Sequence, residues 1–172
     1  GRSVSLSSDG STVAIGAPFN DGNGSLSGHV RIYENDNGTW TQLGADIDGE
    51  AVSDQSGKSV SLSSDGSTVA IAAPSNDGNG SLSGHVRIYE NVSGTWTKIG
   101  ADIDGEATGD GSGSSVSLSS DGSTVAIGAY GNDGNGTDAG HVRIYENVSG
   151  TWTQIGADID GEGASDQSGY SV

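Results

Sequence analysis

The chain has 172 residues, a formal net charge of −17 and 31% hydrophobic residues, with aromatic residues at only 5%. This acidity argues against nucleic acid or an anionic membrane surface as a partner and favours divalent cations or basic partners. No apolar run reaches the roughly 18 residues of a membrane-spanning helix, so membrane insertion is not expected. The absence of cysteine excludes disulfides and thiolate metal sites. The core is therefore expected to be thin and built from small aliphatic side chains.

The sequence repeats itself with a period of 56 residues, so that Gly1, Gly57, Gly113 and Gly169 are equivalent. Such a period is typical of solenoids, propellers and stacked arrays. We predict three blades, 1–56, 57–112 and 113–168, with 169–172 as the start of a fourth repeat. Since the last residues restate the first ones, we expect this chain to be an excerpt from a longer array.

The first two strands of each repeat are predicted to form a hairpin. Val4 and Leu6 lie before the Asp9-Gly10 turn, and Val13 and Ile15 lie after it. Apolar residues two apart on both sides of an Asp-Gly pair indicate a β-hairpin, here with strands at 3–7 and 12–17. Ala14 and Gly16, on the other face of the second strand, are small enough for another sheet to approach closely.

Two further strands complete each predicted blade. The third covers 29–34, with Val30 and Ile32 on one face. The fourth covers 39–43, extends toward Ile47 and has Trp40 as its one large anchor. The connecting segments are rich in Asn, Asp, Gly and Ser, as turns require, and no window has helical periodicity. We therefore predict an all-β fold of tandem four-stranded antiparallel blades of β-propeller type, in an open stack or as part of a larger array.

One set of motifs resembles the FG-GAP repeat, the blade of the propeller in integrin α subunits and in related microbial and algal surface proteins. The family pattern runs from an Asp through Phe-Gly-x-Ser-Val to Gly-Ala-Pro on the next strand. The chain has Asp54-Gln-Ser-Gly-Lys-Ser-Val60 followed by Ala72-Ala-Pro74, and Gly16-Ala-Pro18 in the first copy. The resemblance implies propeller blades and an extracellular or cell-surface location.

The chain departs from the family pattern in two ways. The Phe is replaced by a serine in every copy, at Ser56, Ser112 and Ser168, which removes an aromatic wedge between blades. The calcium loop of integrin-type blades, Asp-x-Asp-x-Asp-Gly, is reduced to Ser8-Asp9-Gly10, which argues against calcium at that place. The copies are also more alike than integrin blades usually are, which favours a uniform array.

An acidic motif with carboxylates at alternate positions is the best candidate for a metal site. Three such carboxylates can converge on a hard cation when the backbone bends at the intervening glycine. The alternative is that the acids decorate an exposed strand edge and discourage aggregation. The predicted calcium ligands are Asp46, Asp48 and Glu50, with copies at Asp102, Asp104 and Glu106 and at Asp158, Asp160 and Glu162.

One histidine recurs in each repeat, at His29, His85 and His141. A catalytic or metal role would need a partner acid or several converging histidines, and a cross-strand pair on a half-buried face is favoured instead. The sequence has no nucleophile elbow, phosphate loop or His-Glu-x-x-His motif. We therefore expect no catalytic residues and no enzyme activity.

Six acceptor sequons for N-glycosylation lie in predicted loops. The same Asn-Gly pairs are also favoured in turns, and a chain rich in Asn, Gly and Ser produces sequons by chance. The candidate asparagines are Asn23, Asn37, Asn79, Asn91, Asn135 and Asn147.

Two functions remain open on this evidence. The first is an extracellular structural or adhesive protein whose blades self-associate with identical blades into a fibre or larger propeller. The second is an integrin- or lectin-like propeller that binds a glycan or surface-protein ligand at one rim. A recognition rim should vary from blade to blade and carry aromatic or arginine anchors.

Overall fold

The computed structural model describes residues 1–172 as fifteen β-strands in three sheets, one sheet per repeat, with no helix. In the first repeat the strands are β1 Ser3–Leu6, β2 Thr12–Ala17, β3 His29–Asp36, β4 Thr39–Gln42 and β5 Ile47–Asp48. In the second they are β6 Ser59–Leu62, β7 Thr68–Ala73, β8 His85–Val92, β9 Thr95–Lys98 and β10 Ile103–Asp104. In the third they are β11 Ser115–Leu118, β12 Thr124–Ala129, β13 His141–Val148, β14 Thr151–Gln154 and β15 Ile159–Asp160.

Each sheet is an antiparallel meander, which confirms the predicted all-β fold with a four-stranded blade in every repeat. The order in the first sheet is β1-β2-β3-β4, and β5 pairs with the same edge of β3 as β4 does. The fourth strand is thus interrupted: β4 pairs with the outer half of β3, from Tyr33, and β5 pairs with His29 and Val30. Between the two halves, the Leu43 amide donates to the Ile32 carbonyl at 2.8 Å.

The turns explain where the strands end. Asn37 and Gly38 form the two-residue loop between β3 and β4, and both have positive φ, 49° and 91°. That backbone suits the right-handed twist of a hairpin, so β3 continues to Asp36, two residues beyond the predicted end. In the β1–β2 turn, the Asp9 carboxylate accepts hydrogen bonds from the Ser7 hydroxyl at 2.7 Å and the Ser11 amide at 2.9 Å.

The core lies between the sheets, and the second sheet contributes both of its faces to it, whereas the first and third sheets contribute one face each. We call the side that carries Val60, Leu62, Val69 and Ile71 in the second repeat the front face. It packs against the back face of the first repeat, whose buried residues are Ala14, Val30, Ile32 and Ile47. The second and third repeats form an equivalent core. Two thin interfaces of the same design therefore hold the three blades together.

The first strands of neighbouring blades lie side by side and are linked by polar contacts. The Leu62 amide donates to the Ser5 hydroxyl, and the Leu118 amide to the Ser61 hydroxyl, both at 2.9 Å. At Gly16 the next repeat comes so close that an added Cβ would collide with the Gly57 carbonyl. This close approach accounts for the small residues on the second strand.

The sheets remain separate and do not close into a barrel. The fold contains no helix with the length and apolar character needed to cross a membrane.

Candidate functional site

Each repeat brings a histidine together with two carboxylates, and in two of the three repeats one carboxylate comes from the preceding blade. The histidine begins the third strand, where alternation places it on the front face with the arginine two residues later. In each group the potential ligand atoms lie within 4.8 Å of one another. The groups are His29 with Asp46 and Asp48, His85 with Glu50 and Asp102, and His141 with Glu106 and Asp158.

The group at the boundary of the second and third repeats contains a histidine that is buried and has no hydrogen-bond partner. His141 is 1% exposed, and neither of its ring nitrogens has a hydrogen-bond partner. Its Nδ1 lies 3.6 Å from Asp158 Oδ2 and 4.0 Å from Glu106 Oε2. These separations are too long for hydrogen bonds, so the imidazole faces two carboxylates without bonding to either.

The group at the boundary of the first and second repeats has the same three residue types, with an additional positive charge beside them. His85 Nδ1 lies 3.7 Å from Asp102 Oδ2, while Lys98 Nζ lies 2.6 Å from the other oxygen of Asp102. Burial lowers the pKa of His85, and Arg87 lowers it further, whereas Asp102 and Glu50 act in the opposite direction. Burial therefore favours the neutral imidazole, which is the form that binds metals.

In the first repeat, the corresponding group lies within one blade. His29 Nδ1 lies 3.6 Å from Asp46 Oδ2 and 4.0 Å from Asp48 Oδ1. Arg31 donates to both oxygens of Asp46 at 2.9–3.0 Å. This pairing is the main reason that the pKa of Asp46 is lowered.

In the other two repeats the equivalent arginines reach across to the preceding blade. Arg87 donates to the Asp48 carbonyl at 3.0 Å and pairs with Glu50 at 3.0 Å. Arg143 likewise donates to the Asp104 carbonyl at 2.8 Å and lies 3.4 Å from Glu106. Both guanidinium groups are buried, so these contacts hold adjacent blades in register.

The structure distributes the predicted acidic ligands over two different places. Asp46 and Asp48 lie together beside His29, whereas Glu50 lies with His85 in the next blade. Asp104 and Asp160 are paired in register with His85 and His141, and Glu162 lies in the segment after β15. Calcium binding by these residues stays a prediction.

Sequence reasoning did not identify the histidine as part of these groups, because its carboxylate partners lie on another strand of the same repeat and, for His85 and His141, also in the preceding repeat. The recurrence of one histidine per repeat was the available signal. The missing information was the packing of one blade on the next, which brings the two residues together.

The sequon asparagines take part in loop hydrogen bonds. Asn23 Nδ2 donates to the Gly49 carbonyl at 2.8 Å, and Asn79 and Asn135 make the same contact with Gly105 and Gly161. The side chains of Asn91 and Asn147 accept from the amides of Gly94 and Gly150 in the hairpin turns, and Asn37 Nδ2 donates to Asp36. Their glycosylation stays a prediction.

Comparison with known proteins relates the chain to one family and to several solved structures. The family described as FG-GAP repeat matches residues 97–145, whereas no curated protein sequence matches the chain. A putative 6-phosphogluconolactonase from Bacteroides fragilis superposes with a TM-score of 0.62 at 17% identity, over 91% of this chain and 38% of that one. The corresponding protein of Bacteroides uniformis gives 0.62 at 15% identity, over 91% of this chain and 39% of that one.

A third similar structure is a hypothetical selenium-binding protein from Sulfolobus tokodaii, with a TM-score of 0.54 at 12% identity over 88% of this chain and 38% of that one. The chain thus spans less than two fifths of the length of these proteins, and at such identities the likeness concerns the fold. Together, the family match and the sheet topology confirm the predicted resemblance to FG-GAP repeats, in a chain of tandem β-propeller-type blades.

Proposed function

We propose that the chain is an extracellular structural or adhesive segment whose blades assemble with further identical blades into a fibre or larger propeller. FG-GAP repeats are typical of extracellular and surface proteins, which supports the location. No catalytic role is proposed. The similarity to putative phosphogluconolactonases is one of fold alone, and no serine has an activating partner arrangement like that of a nucleophile.

The observation that carries this proposal is the exposure of two faces that are covered elsewhere in the same chain. Val4, on the front face of the first blade, is 68% exposed, whereas its equivalent Val60 is 7% exposed. Ile159, on the back face of the third blade, is 55% exposed, whereas its equivalent Ile103 is 5% exposed. The two exposed faces are the two halves of a contact that the chain makes twice internally.

The polar contacts of the exposed faces are complementary as well. Within the chain, Trp96 Nε1 donates to the Leu43 carbonyl at 2.9 Å and Trp152 Nε1 to the Ile99 carbonyl at 3.0 Å. Trp40 stands at the equivalent place on the exposed front face, and Ile155 is the equivalent acceptor on the exposed back face. A further blade on either side would complete this pair.

Sedimentation velocity and negative-stain electron microscopy test the proposal. The wild-type chain is expected to form head-to-tail assemblies whose mass rises with concentration. Leu6→Glu and Ile159→Glu place a charge on the exposed front and back faces, and each should leave only small species. Val92→Glu is the matched control, because Val92 is also 54% exposed but lies at the tip of the β8–β9 hairpin.

A mixture of the two charged variants gives the sharpest result. Leu6→Glu retains a native back face and Ile159→Glu retains a native front face, so the mixture should form dimers and no longer species. A folded wild-type chain that stays a 17.0 kDa monomer at every concentration, or variants that assemble like the wild type, would contradict the proposal.

A ligand-binding rim is the second candidate, and it is favoured by where the repeats differ. A cavity between the second and third blades is lined only by residues at positions that vary among the three copies. The second blade contributes Lys58, Pro74, Ser75, Leu82, Gly109 and Gly111, and the third contributes Ser114 and Tyr130. The ring of Tyr130, which lines this cavity, lies 5.6 Å from that of Tyr170, and in the first blade Arg2 lies over the Phe19 ring at 5.5 Å.

Aromatic rings beside a cation suit an acidic sugar, which can stack on the ring and pair with the lysine. A glycan array that includes sialylated and sulfated sugars tests this candidate. Binding should be lost in Tyr130→Ala and Lys58→Ala and retained in Ser8→Ala, a change at the β1–β2 turn. The absence of any glycan signal, or a signal unaffected by the two cavity variants, would leave assembly as the better function.

A further inference from the structure

We infer that His141, Asp158 and Glu106 form a binding site for a divalent transition-metal ion, with zinc as the representative ion, that links the second blade to the third. Glu106 lies after β10 of the second blade, whereas His141 and Asp158 belong to the third. The site lies within one chain, so it does not depend on the assembly proposed above.

The first support is a buried imidazole that has nothing to bond to. His141 is 1% exposed, and both of its nitrogens lack a hydrogen-bond partner, although burying a polar group without a partner costs free energy. Its Nδ1 nevertheless points at two carboxylate oxygens, at 3.6 and 4.0 Å. A bound cation would give this nitrogen the partner that the protein does not supply.

The separations suit a metal ion better than a direct contact. Tetrahedral zinc with bonds of about 2.0–2.2 Å places neighbouring ligand atoms roughly 3.4 Å apart. The 3.6 Å between His141 Nδ1 and Asp158 Oδ2 is close to that value, and a shift of a few tenths of an ångström by the half-exposed Glu106 would bring its oxygen into range. Three protein ligands would leave a fourth position for water.

The outer oxygens of the two carboxylates are already held, which orients the inner ones. Gln154 Nε2 donates to Asp158 Oδ1 at 2.6 Å, and Arg143 Nη1 lies 3.4 Å from Glu106 Oε1. Asp158 Oδ2 and Glu106 Oε2 therefore remain turned toward His141. Outer partners of this kind fix the orientation of metal ligands in known sites.

Ligand chemistry selects the class of ion. Calcium and magnesium prefer all-oxygen sites with six or more ligands, whereas an imidazole with two carboxylates suits zinc and neighbouring transition metals. This site differs from the predicted calcium motif in its ligand set, because it combines Glu106 of the second copy with Asp158 of the third and adds the imidazole of His141.

The other two groups of the chain are less suitable for a cation, and the differences make them controls. In the second blade, Lys98 donates to Asp102 and adds a positive charge beside the site, where the third blade has the neutral Gln154. In the first blade, Arg31 occupies both oxygens of Asp46, and no glutamate arrives from a preceding blade. We therefore expect one tight zinc site in each unassembled chain.

Isothermal titration calorimetry of the chelator-treated chain with zinc tests this inference, together with thermal melting followed by circular dichroism. The wild type should bind one equivalent and melt at a higher temperature with zinc. His141→Gln and Glu106→Gln should weaken binding by more than the 10- to 100-fold that loss of an outer partner costs. His29→Gln should bind like the wild type.

A gain of binding provides the complementary test. Lys98→Gln gives the second blade the same outer partner as the third, so this variant should bind two equivalents of zinc. Both Lys98 and Glu106 are partly exposed, so these variants remain informative if His141→Gln folds poorly, which its circular dichroism spectrum would show.

Several outcomes would overturn the inference. These are the absence of zinc binding, weak binding of many equivalents that survives both His141→Gln and Glu106→Gln, or calcium binding at equal affinity that His141→Gln abolishes.

Discussion

Leu6, Leu62 and Leu118 occupy the same position in three nearly identical repeats, yet their surroundings differ sharply. Leu6 is 56% exposed, whereas Leu62 and Leu118 are 7% and 9% exposed. The strands that carry them have the same sequence, so the difference comes only from whether another blade lies in front. In this fold a side chain is buried only where an adjacent blade covers it, as expected when repeats contact only adjacent repeats.

The arginines of the third strand show the same contrast in their polar contacts. Arg87 and Arg143 are each 5% exposed and reach the carbonyl of the preceding blade. Arg31 has no such carbonyl within reach and pairs with Asp46 of its own blade. An outer blade therefore satisfies its charges locally, while an inner blade uses the same residue to bind its neighbour.

The largest expected effect comes from removing an isoleucine from a covered face. Ile88 is 1% exposed in the core between the second and third blades, whereas its equivalent Ile144 is only partly buried on the uncovered back face. Ile88→Ala should lower the free energy of unfolding by about 2–5 kcal/mol, and Ile144→Ala should lower it clearly less. Urea denaturation of both variants in the Leu6→Glu background, which is not expected to assemble, checks this, and equal losses would contradict the contrast between the blades.

A smaller effect is expected from removing one hydrogen bond between blades. Trp96→Phe loses the bond from Nε1 to the Leu43 carbonyl, so it should cost about 1 kcal/mol. Trp40→Phe, on the exposed front face, should leave the stability nearly unchanged. The same denaturation measurement distinguishes them, and the expectation fails if Trp40→Phe is the more harmful change.

The smallest effect is expected from acid and should not depend on the position of the blade. The Ser11 amide and the Ser7 hydroxyl lower the pKa of Asp9 to about 2, and Ser119 and Ser123 do the same for Asp121. The folded-state pKa lies below the unfolded value of 3.8. The resulting stabilisation is present above about pH 4 and is lost as the pH falls through about 2.

Thermal melting between pH 5 and pH 2 checks this expectation. The Asp121→Asn variant removes the titrating group from one turn, so its melting temperature should fall less steeply with acid than that of the wild type. Identical acid profiles for the two proteins would show that the turn carboxylates contribute nothing to the pH dependence.

The predictable parts of this fold are the local ones. The Asp9-Gly10 hairpin and the alternating Val and Ile residues depend on neighbours in sequence, and they predict the β1–β2 pairing that the structure has. The interruption between β4 and β5 was not predicted, because no local signal marks it. The meeting of His141 with Glu106 was also missed, since it depends on how one blade packs on the next.

The difference between the front and back faces has a consequence for growth. Any assembly of these chains would be polar, with two chemically distinct ends. A Leu6→Glu chain would still present its native back face to an exposed front face, but it would offer a charged front face in return. Added in small amounts, such a variant would stop growth at one end of the assembly only. The length of the filaments would then depend on the molar ratio of the variant to the wild-type chain.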